Sequence, residues 1–312
     1  MGIAGGRIDL YRDPVAFLGG IPMASDFAKQ ILYPAKNSGK TFGIDFHADL
    51  YQGCPHGCLF CEYAVLGNDF GTVTHKTNVI EVLSKELTAK PAHAVISLGS
   101  AADPYPSIEA EKKLTRQALT AIDTALMGCV VTTKNDLVLR DVDLLKRIAA
   151  HSPMVVMIPI ATFSEAVTKK IEPHAPRPTD RFRLVAKLTA EGIPCGIKMS
   201  PMIPFVNDTE DNLREIIRGA KNAGARYIYP AFGITLRNGQ RERFYAMIER
   251  EFPGLKNVYM DTFGLKTACV SPSAPQLKKI FVIECKKQKI LYGMKDIVNM
   301  IRPEKTVQLK LF

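Results

Sequence analysis

Five short β-rich runs alternate with helical segments through the middle of this chain, and that alternation limits its fold more than any other feature. The runs are AHAVISLG from residue 92, GCVVTTK from 128, MVVMIPIA from 154, IPCGIKMSP from 193 and ARYIYPA from 225, with starts 25 to 40 residues apart. Between them, residues 108–126 place Ile108, Leu114, Ala118, Leu119, Ile122, Ala125 and Leu126 at spacings of three and four, as the buried face of an amphipathic helix requires. Residues 208–225 repeat the pattern with Leu213, Ile216, Ile217 and Ala220, opening at an expected Asp208 cap and closing at Gly224.

Alternating β and α units predict a parallel sheet covered by helices, and roughly 30 residues per βα pair suit a barrel. The run TFGIDFHADL at 41–50 adds a strand ahead of the five, making six. The expected fold class is therefore α/β, a partial (β/α)6 TIM-type barrel over residues 41–265, with an N-terminal extension over 1–40 and a basic C-terminal segment over 266–312. A doubly wound open sheet is the structural alternative, but no G-x-G-x-x-G follows the first strand to support it.

The 312 residues are 46% hydrophobic and 23% charged, an ordinary globular balance that argues against extensive disorder. The longest apolar run, MVVMIPIATF at 154–163, is too short to span a bilayer. Asp9, Arg12 and Asp13 stand where a signal peptide carries its apolar core, and Gly6 stands where a myristoylation motif carries Ser or Thr. A cytoplasmic protein with no membrane partner is expected. The net charge is +10, and residues 274–312 hold nine Lys or Arg against three acidic residues, so +6 of it lies at the C-terminal end. That end suits either a polyanionic partner or a solvated basic surface.

Seven cysteines are an odd number, and Cys54, Cys58 and Cys61 crowd into YQGCPHGCLFC at 51–61, which makes a poor disulfide framework. In a parallel β/α barrel this loop follows the C-terminal end of the first strand, where chemistry gathers. Structural zinc sites usually add two ligands at a distance, whereas three thiolates on a 4Fe-4S cube leave one iron open to an exogenous molecule. A zinc knuckle with His56 as fourth ligand is the alternative.

C-x3-C-x2-C in CPHGCLFC, with an aromatic residue before the third cysteine, resembles the radical S-adenosylmethionine (SAM) enzymes. The resemblance implies that Cys54, Cys58 and Cys61 hold a 4Fe-4S cluster whose open iron chelates SAM. An electron from the cluster, delivered by a donor such as flavodoxin or ferredoxin, would then release a 5′-deoxyadenosyl radical. SLGSAADPYPSIEAEKKLTRQAL, VVTTKNDLVLRDVDLLKRI, KKIEPHAPRPTDRFRLVAKLTAEGIPCGIKMSPMIPFVND and the C-terminal QLKLF together look like the narrower spore photoproduct lyase-like group. Many of its members are described as DNA repair photolyases. Position by position, that resemblance implies Gly99 and Ser100 at the amino end of SAM, Lys134 at its carboxylate, the Phe60 backbone at adenine and Glu172 near the ribose. Each has a plainer reading, as turn, packing or surface charge.

One departure stands out. True spore photoproduct lyases carry a hydrogen-donor cysteine three residues before the aspartate that aligns with Asp103, and here that position is Ser100. A hydroxyl is a far worse hydrogen-atom donor. Cys129 and Cys195 fall at strand starts and are expected in the core, which leaves Cys269, ahead of Cys285, as the substitute thiol. Tyr105 in DPYP and Tyr229 at the end of the sixth strand are further candidates for the barrel mouth, Tyr105 as a relay or a stacking ring. Three functions compete: a radical SAM enzyme acting on nucleic acid, the same chemistry on a peptide or metabolite, and a non-catalytic iron-sulfur or zinc protein. QLKLF also resembles the bacterial sliding-clamp-binding motif, with Gln308 supplying hydrogen bonds and Leu309, Leu311 and Phe312 filling an apolar groove. A tail folded back on its own barrel is the alternative.

Overall fold

A computed structural model describes residues 27–65, 71–237 and 239–303. Its main sheet has seven strands in linear order: β1 (Leu32–Pro34), β2 (Phe46–Ala48), β3 (Val95–Leu98), β4 (Gly128–Thr132), β5 (Met154–Pro159), β6 (Cys195–Met199) and β7 (Tyr227–Pro230). β1 pairs antiparallel with β2, and each pairing from β2 to β7 is parallel. The six parallel strands are those expected, and the linear order leaves the barrel open. The fold is thus an α/β partial barrel.

Strand residues alternate between two faces, as the pleat requires. Ile96, Leu98, Cys129, Val131, Val156, Ile158, Cys195 and Ile197 join the core beneath the outer helices α1 (Val79–Thr88), α3 (Leu114–Thr124), α4 (Val142–His151), α6 (Pro178–Ala190) and α7 (Glu210–Asn222). Val95, Val130, Val155, Met157 and Tyr227 point to the opposite, concave face and meet Ile297 and Ile301 of α11 (Met294–Ile301). Gly196 is what admits the Tyr227 ring, because a Cβ there would sit 2.0 Å from its Cζ.

Two expectations about helix ends change. The helix over 108–126 is broken into α2 (Glu109–Lys112) and α3 by Lys113, whose φ is +53°. The buried Glu109 carboxylate explains the break, since it accepts the Thr115 amide at 3.0 Å and pairs with Tyr51 and Arg140. It caps α3 from the preceding turn. The cap of α7 is Thr209, which accepts the Asn212 amide at 3.2 Å, while Asp208 accepts a hydrogen bond from the Ser271 hydroxyl.

Beyond β7, the antiparallel pair β8 (Gly233–Thr235) and β9 (Ala268–Val270) straddles the boundary expected between 265 and 266. With α8 (Gln240–Glu251) and α9 (Leu255–Phe263) it builds a second apolar cluster that includes Leu59 of the cysteine loop and Ile171. α10 (Ala274–Gln288) packs against α7. Among the described residues, no helix is long and apolar enough to cross a membrane. Gln308, Leu309, Leu311 and Phe312 lie outside the described residues.

Candidate active site

The chain leaves β2 and enters the cysteine loop at the C-terminal end of the parallel strands. Neighbouring elements fix that loop by its backbone. The Leu59 amide donates to the Ile171 carbonyl at the end of α5 (Glu165–Ile171) at 3.0 Å, and the His174 amide donates to the His56 carbonyl at 3.2 Å. From α8, Arg243 donates to the Cys58 and Leu59 carbonyls, each at 3.1 Å, and Gln240 donates to the Phe60 carbonyl at 3.2 Å. Gly57 has φ +65°, and a Cβ there would lie 3.2 Å from Pro173, so the loop can sit close against the segment after α5.

Cys58 is buried, and Cys54 and Cys61 are half-buried. Burial raises all three thiols, Cys58 to about 12, while the Lys134 ammonium pulls each of them down. Among the described residues, no three His, Cys, Asp or Glu side chains converge as the ligands of one metal ion would. A cube takes each thiolate on a different iron and suits ligands that ring a larger object. His56 lies 3.5 Å from Cys54 Sγ and 3.9 Å from Asp103, and burial lowers its imidazole to about 4 against the opposing pull of Asp103.

Lys134 follows β4 and brings its ammonium 3.1 Å from Cys58 Sγ and 2.7 Å from Glu172. Burial alone would lower the Lys134 ammonium, but Cys58 and Glu172 outweigh it and raise it. Glu172 also pairs with Arg181 of α6 at 2.6 Å, an ionic contact whose geometry is not that of an aligned hydrogen bond. Burial would raise the Glu172 carboxyl, yet Lys134 and Arg181 hold it down at about 2. Each Glu172 oxygen faces a cation and the residue is 2% exposed. The ribose contact expected of Glu172 is therefore corrected: this carboxylate is the centre of a buried ion triad under the cysteine loop.

Asp103 ties the loops after β3 and β4 together, accepting from Thr133 Oγ1 at 2.6 Å and from the Tyr105 and Lys134 amides at 2.9 and 2.8 Å. Gly99 has φ +89°, and a Cβ would stand 2.2 Å from the Thr132 carbonyl oxygen, so only glycine fits there. Ser100 lies 2.6 Å from His47 Nδ1 and 3.2 Å from Ser97 Oγ. The Phe60 ring has the Lys134 ammonium 5.8 Å from its centroid.

Two further expectations are corrected. Tyr105 is fully buried in the helix-side core and its hydroxyl donates to Asp141 at 3.2 Å, so no substrate ring can stack on it. Cys269 is fully buried in β9, its thiol 3.6 Å from the Lys266 carbonyl, in the cluster with Phe244, Tyr259 and Phe263. It offers no thiol to the mouth. Cys129 and Cys195 are core residues, as expected, and Tyr229 is half-buried on the concave side, edge-on to Phe42 at 5.1 Å. Sequence reading missed Arg181, Gln240 and Arg243, whose partners are distant in the chain. It also missed His47 and Lys198, which a strict period-two reading of FHA and CGIKM would have placed on the concave face.

The family described as the Radical SAM superfamily matches residues 49–229. Among curated proteins, an uncharacterized protein of Mycobacterium tuberculosis is 29% identical over 68% of this chain and 65% of its own length. An uncharacterized protein of Methanocaldococcus jannaschii is 32% identical over 59% of this chain and 68% of its own. The chain thus spans just under two thirds of the length of the mycobacterial relative. Among solved structures, a spore photoproduct lyase mutant with bound AdoMet and dinucleoside spore photoproduct superposes with a TM-score of 0.59 at 13% identity, over 84% of this chain and 78% of that one. SuiB of Streptococcus suis bound to S-adenosylmethionine gives 0.51 at 12% identity, over 79% and 49%. Those identities speak to fold, but the family match covers more than half of the sequence and contains the three-cysteine loop: the chain belongs to the Radical SAM superfamily, and its cofactors are a 4Fe-4S cluster and S-adenosylmethionine.

Proposed function

We propose that this protein is a radical SAM enzyme that acts on nucleic acid, with Cys54, Cys58 and Cys61 as the ligands of its cluster. The observation that carries the enzyme reading is the loop itself: three buried or half-buried thiols at the C-terminal end of the first parallel strand, with the Lys134 ammonium 3.1 Å from one of them. Cys54, Cys58 and Cys61 would hold the cluster, which would supply the one electron that reductive cleavage of SAM needs and so the radical chemistry for hydrogen abstraction from substrate.

The chain's own residues position and shield. Lys134 offsets the negative charge that three thiolates bring, and the Glu172–Arg181 pair fixes the lysine. Gly99, Ser100 and the half-buried Phe60 border the space where SAM would lie. Leu59 and the α8–α9 cluster close one side against water. Ser100 carries no thiol, and the buried Cys269 cannot replace one, so any hydrogen atom returned to product comes from elsewhere. Thymine-dimer reversal by a cysteine donor is not the expected reaction.

Nucleic acid as substrate is favoured by the +6 charge of residues 274–312 and by the fold shared with a lyase that was solved with a dinucleoside photoproduct. A sliding-clamp contact through Gln308, Leu309, Leu311 and Phe312 extends the same reading, as does a reduced, cytoplasmic setting with a flavodoxin or ferredoxin donor. The test is anaerobic reconstitution followed by dithionite and SAM. 5′-Deoxyadenosine is expected, with deuterium transferred into it from labelled oligonucleotide. Bound iron without SAM cleavage would end the enzyme reading. Binding to DNA and RNA that does not weaken with salt would count against phosphate contacts.

A further inference from the structure

Lys198 is the penultimate residue of β6 and shares the concave face with Gly196, since Cys195, Ile197 and Met199 belong to the helix-side core. It stands in register with Pro159 of β5 and Tyr229 of β7. Its charge helps lower the His47 imidazole on β2, and its own ammonium responds to Glu62, just after Cys61, and to Lys134, just after β4. β2 and β6 are separated by three strands in the sheet. Lys198 therefore stands on the concave face at the C-terminal end of the strand, the end from which the cysteine loop leaves β2.

The other charges at the mouth have partners. Lys134 is engaged by Glu172 and Cys58, Arg181 by Glu172, and Glu62 lies 3.6 Å from Arg237. Asp103 and Asp49 accept from backbone amides. Among the described residues, Lys198 alone of these has neither a hydrogen bond nor an ion pair. Lys198 is half-buried, and burial lowers its ammonium, with Glu62 opposing and Lys134 adding to the fall. A half-buried ammonium with no hydrogen bond or ion pair has its donors free for an anionic ligand.

We propose that Lys198 is the substrate's anion anchor, receiving a phosphate group of the bound nucleotide at the floor of the mouth. The proposal rests on the nucleic-acid reading above and makes it more specific. Lys134 is committed to Glu172 and Cys58, whereas Lys198, in register with Tyr229, is uncommitted. A lysine serves here as a point charge with three donors, able to take a phosphate oxygen without the fixed geometry of a guanidinium.

The experiment compares two probes on the reconstituted, full-length protein: thymidylyl-thymidine with its natural phosphodiester, and the same dinucleoside with a neutral methylphosphonate link. Wild type is expected to bind the charged probe tenfold or more tighter. Lys198→Met should abolish that preference by weakening only the charged probe, and Lys198→Arg should keep most of it. Where Lys198→Met fails to fold, acetic anhydride labelling of wild-type Lys198, read by peptide mass spectrometry, should slow with the charged probe and not with the neutral one. An undiminished preference in Lys198→Met, or labelling indifferent to both probes while they bind, overturns the anchor and leaves the nucleic-acid reading standing. Failure of both probes and of longer oligonucleotides to bind overturns the nucleic-acid reading and the phosphate anchor with it. Loss of SAM affinity in Lys198→Met, with the preference intact, assigns the lysine to the cofactor instead.

Discussion

The concave face of the sheet has two halves built from the same strands. Toward the N-terminal ends, Val95, Val130, Val155 and Tyr227 pack on Ile297 and Ile301 of α11, and apart from the Tyr227 hydroxyl that layer is apolar. One pleat further along, His47, Ser97 and Lys198 point the same way, and beyond the strand ends stand Ser100 and Lys134. A distance of two residues per strand separates packing from chemistry. The lower half can be apolar because α11 seals it, and the upper half carries the polar and charged groups that adjoin the cysteine loop. Stability and function are thus assigned to different layers of one surface, as is usual for barrels, and substitutions in the two layers should be separable.

The largest effect should come from the loop above the upper layer. Cys58→Ala removes one of three proposed ligands, and with no spare thiolate the reconstituted protein should lose the broad visible absorbance and all SAM cleavage. Its unfolding midpoint before reconstitution should move little, because the substitution deletes one small buried atom. Intact absorbance in this variant, and in the matching Cys54→Ala and Cys61→Ala, would show that the ligands are elsewhere.

Glu172→Ala comes next and sharpens the comparison, because it is a charged group under the mouth whose loss should be structural. It would leave Lys134 and Arg181 buried without a counter-ion, a change that costs about 3 to 5 kcal/mol. The same residue makes a pH prediction. Its folded pKa of about 2 lies below the ordinary glutamate value, so its contribution is complete above about pH 4.5 and disappears as pH falls toward 2. A shift of that size corresponds to about 3 kcal/mol at neutral pH. Glu172→Gln should flatten the acid limb of a stability-against-pH curve measured by urea denaturation. An unchanged limb would mean that the triad does not form in solution.

How much of this was legible in the sequence follows the range of each interaction. The strand count and helix faces follow from local periodicity, and the cysteine loop from a spacing of seven residues. Glu172 was singled out but misassigned, because its meaning lies in Lys134, 38 positions earlier, and in Arg181 on the next helix. Tyr105 stands beside Asp103, and adjacency suggested a shared role. The backbone sends the carboxylate to the β4 loop and the ring to the helix side, where Asp141 waits 36 residues away. Cys269 failed for a related reason: β9 pairs with β8 and carries the thiol into a cluster formed with α8 and α9, a burial that no local pattern announces.

In the lower layer, Val130→Ala should destabilise by about 2 kcal/mol, through lost apolar burial and a small cavity. Cluster absorbance and SAM turnover per folded molecule should stay at wild-type values. A fall in turnover with no change in unfolding midpoint would break the division between layers and tie the apolar floor to the chemistry.

The smallest effect is expected at Cys195, a fully buried thiol at the start of β6 on the helix side of the sheet. Burial raises it to about 12 and its sulfur lies 3.5 Å from the Ile193 carbonyl, so it is an inert packing group without thiolate character. Cys195→Ala should cost about 1 kcal/mol, because one polarizable atom is lost from a site that neighbouring Ile and Leu side chains can partly close over. Iron content and visible spectrum after reconstitution should match wild type. The contrast with Cys58→Ala is the useful quantity: both delete one buried sulfur, so the excess spectral loss at Cys58 reports coordination together with the Lys134 contact that only Cys58 makes. Equal spectral loss at the two positions would mean that reconstitution responds to core integrity rather than to ligands, and the proposed ligand set would then need spectroscopic assignment on other grounds.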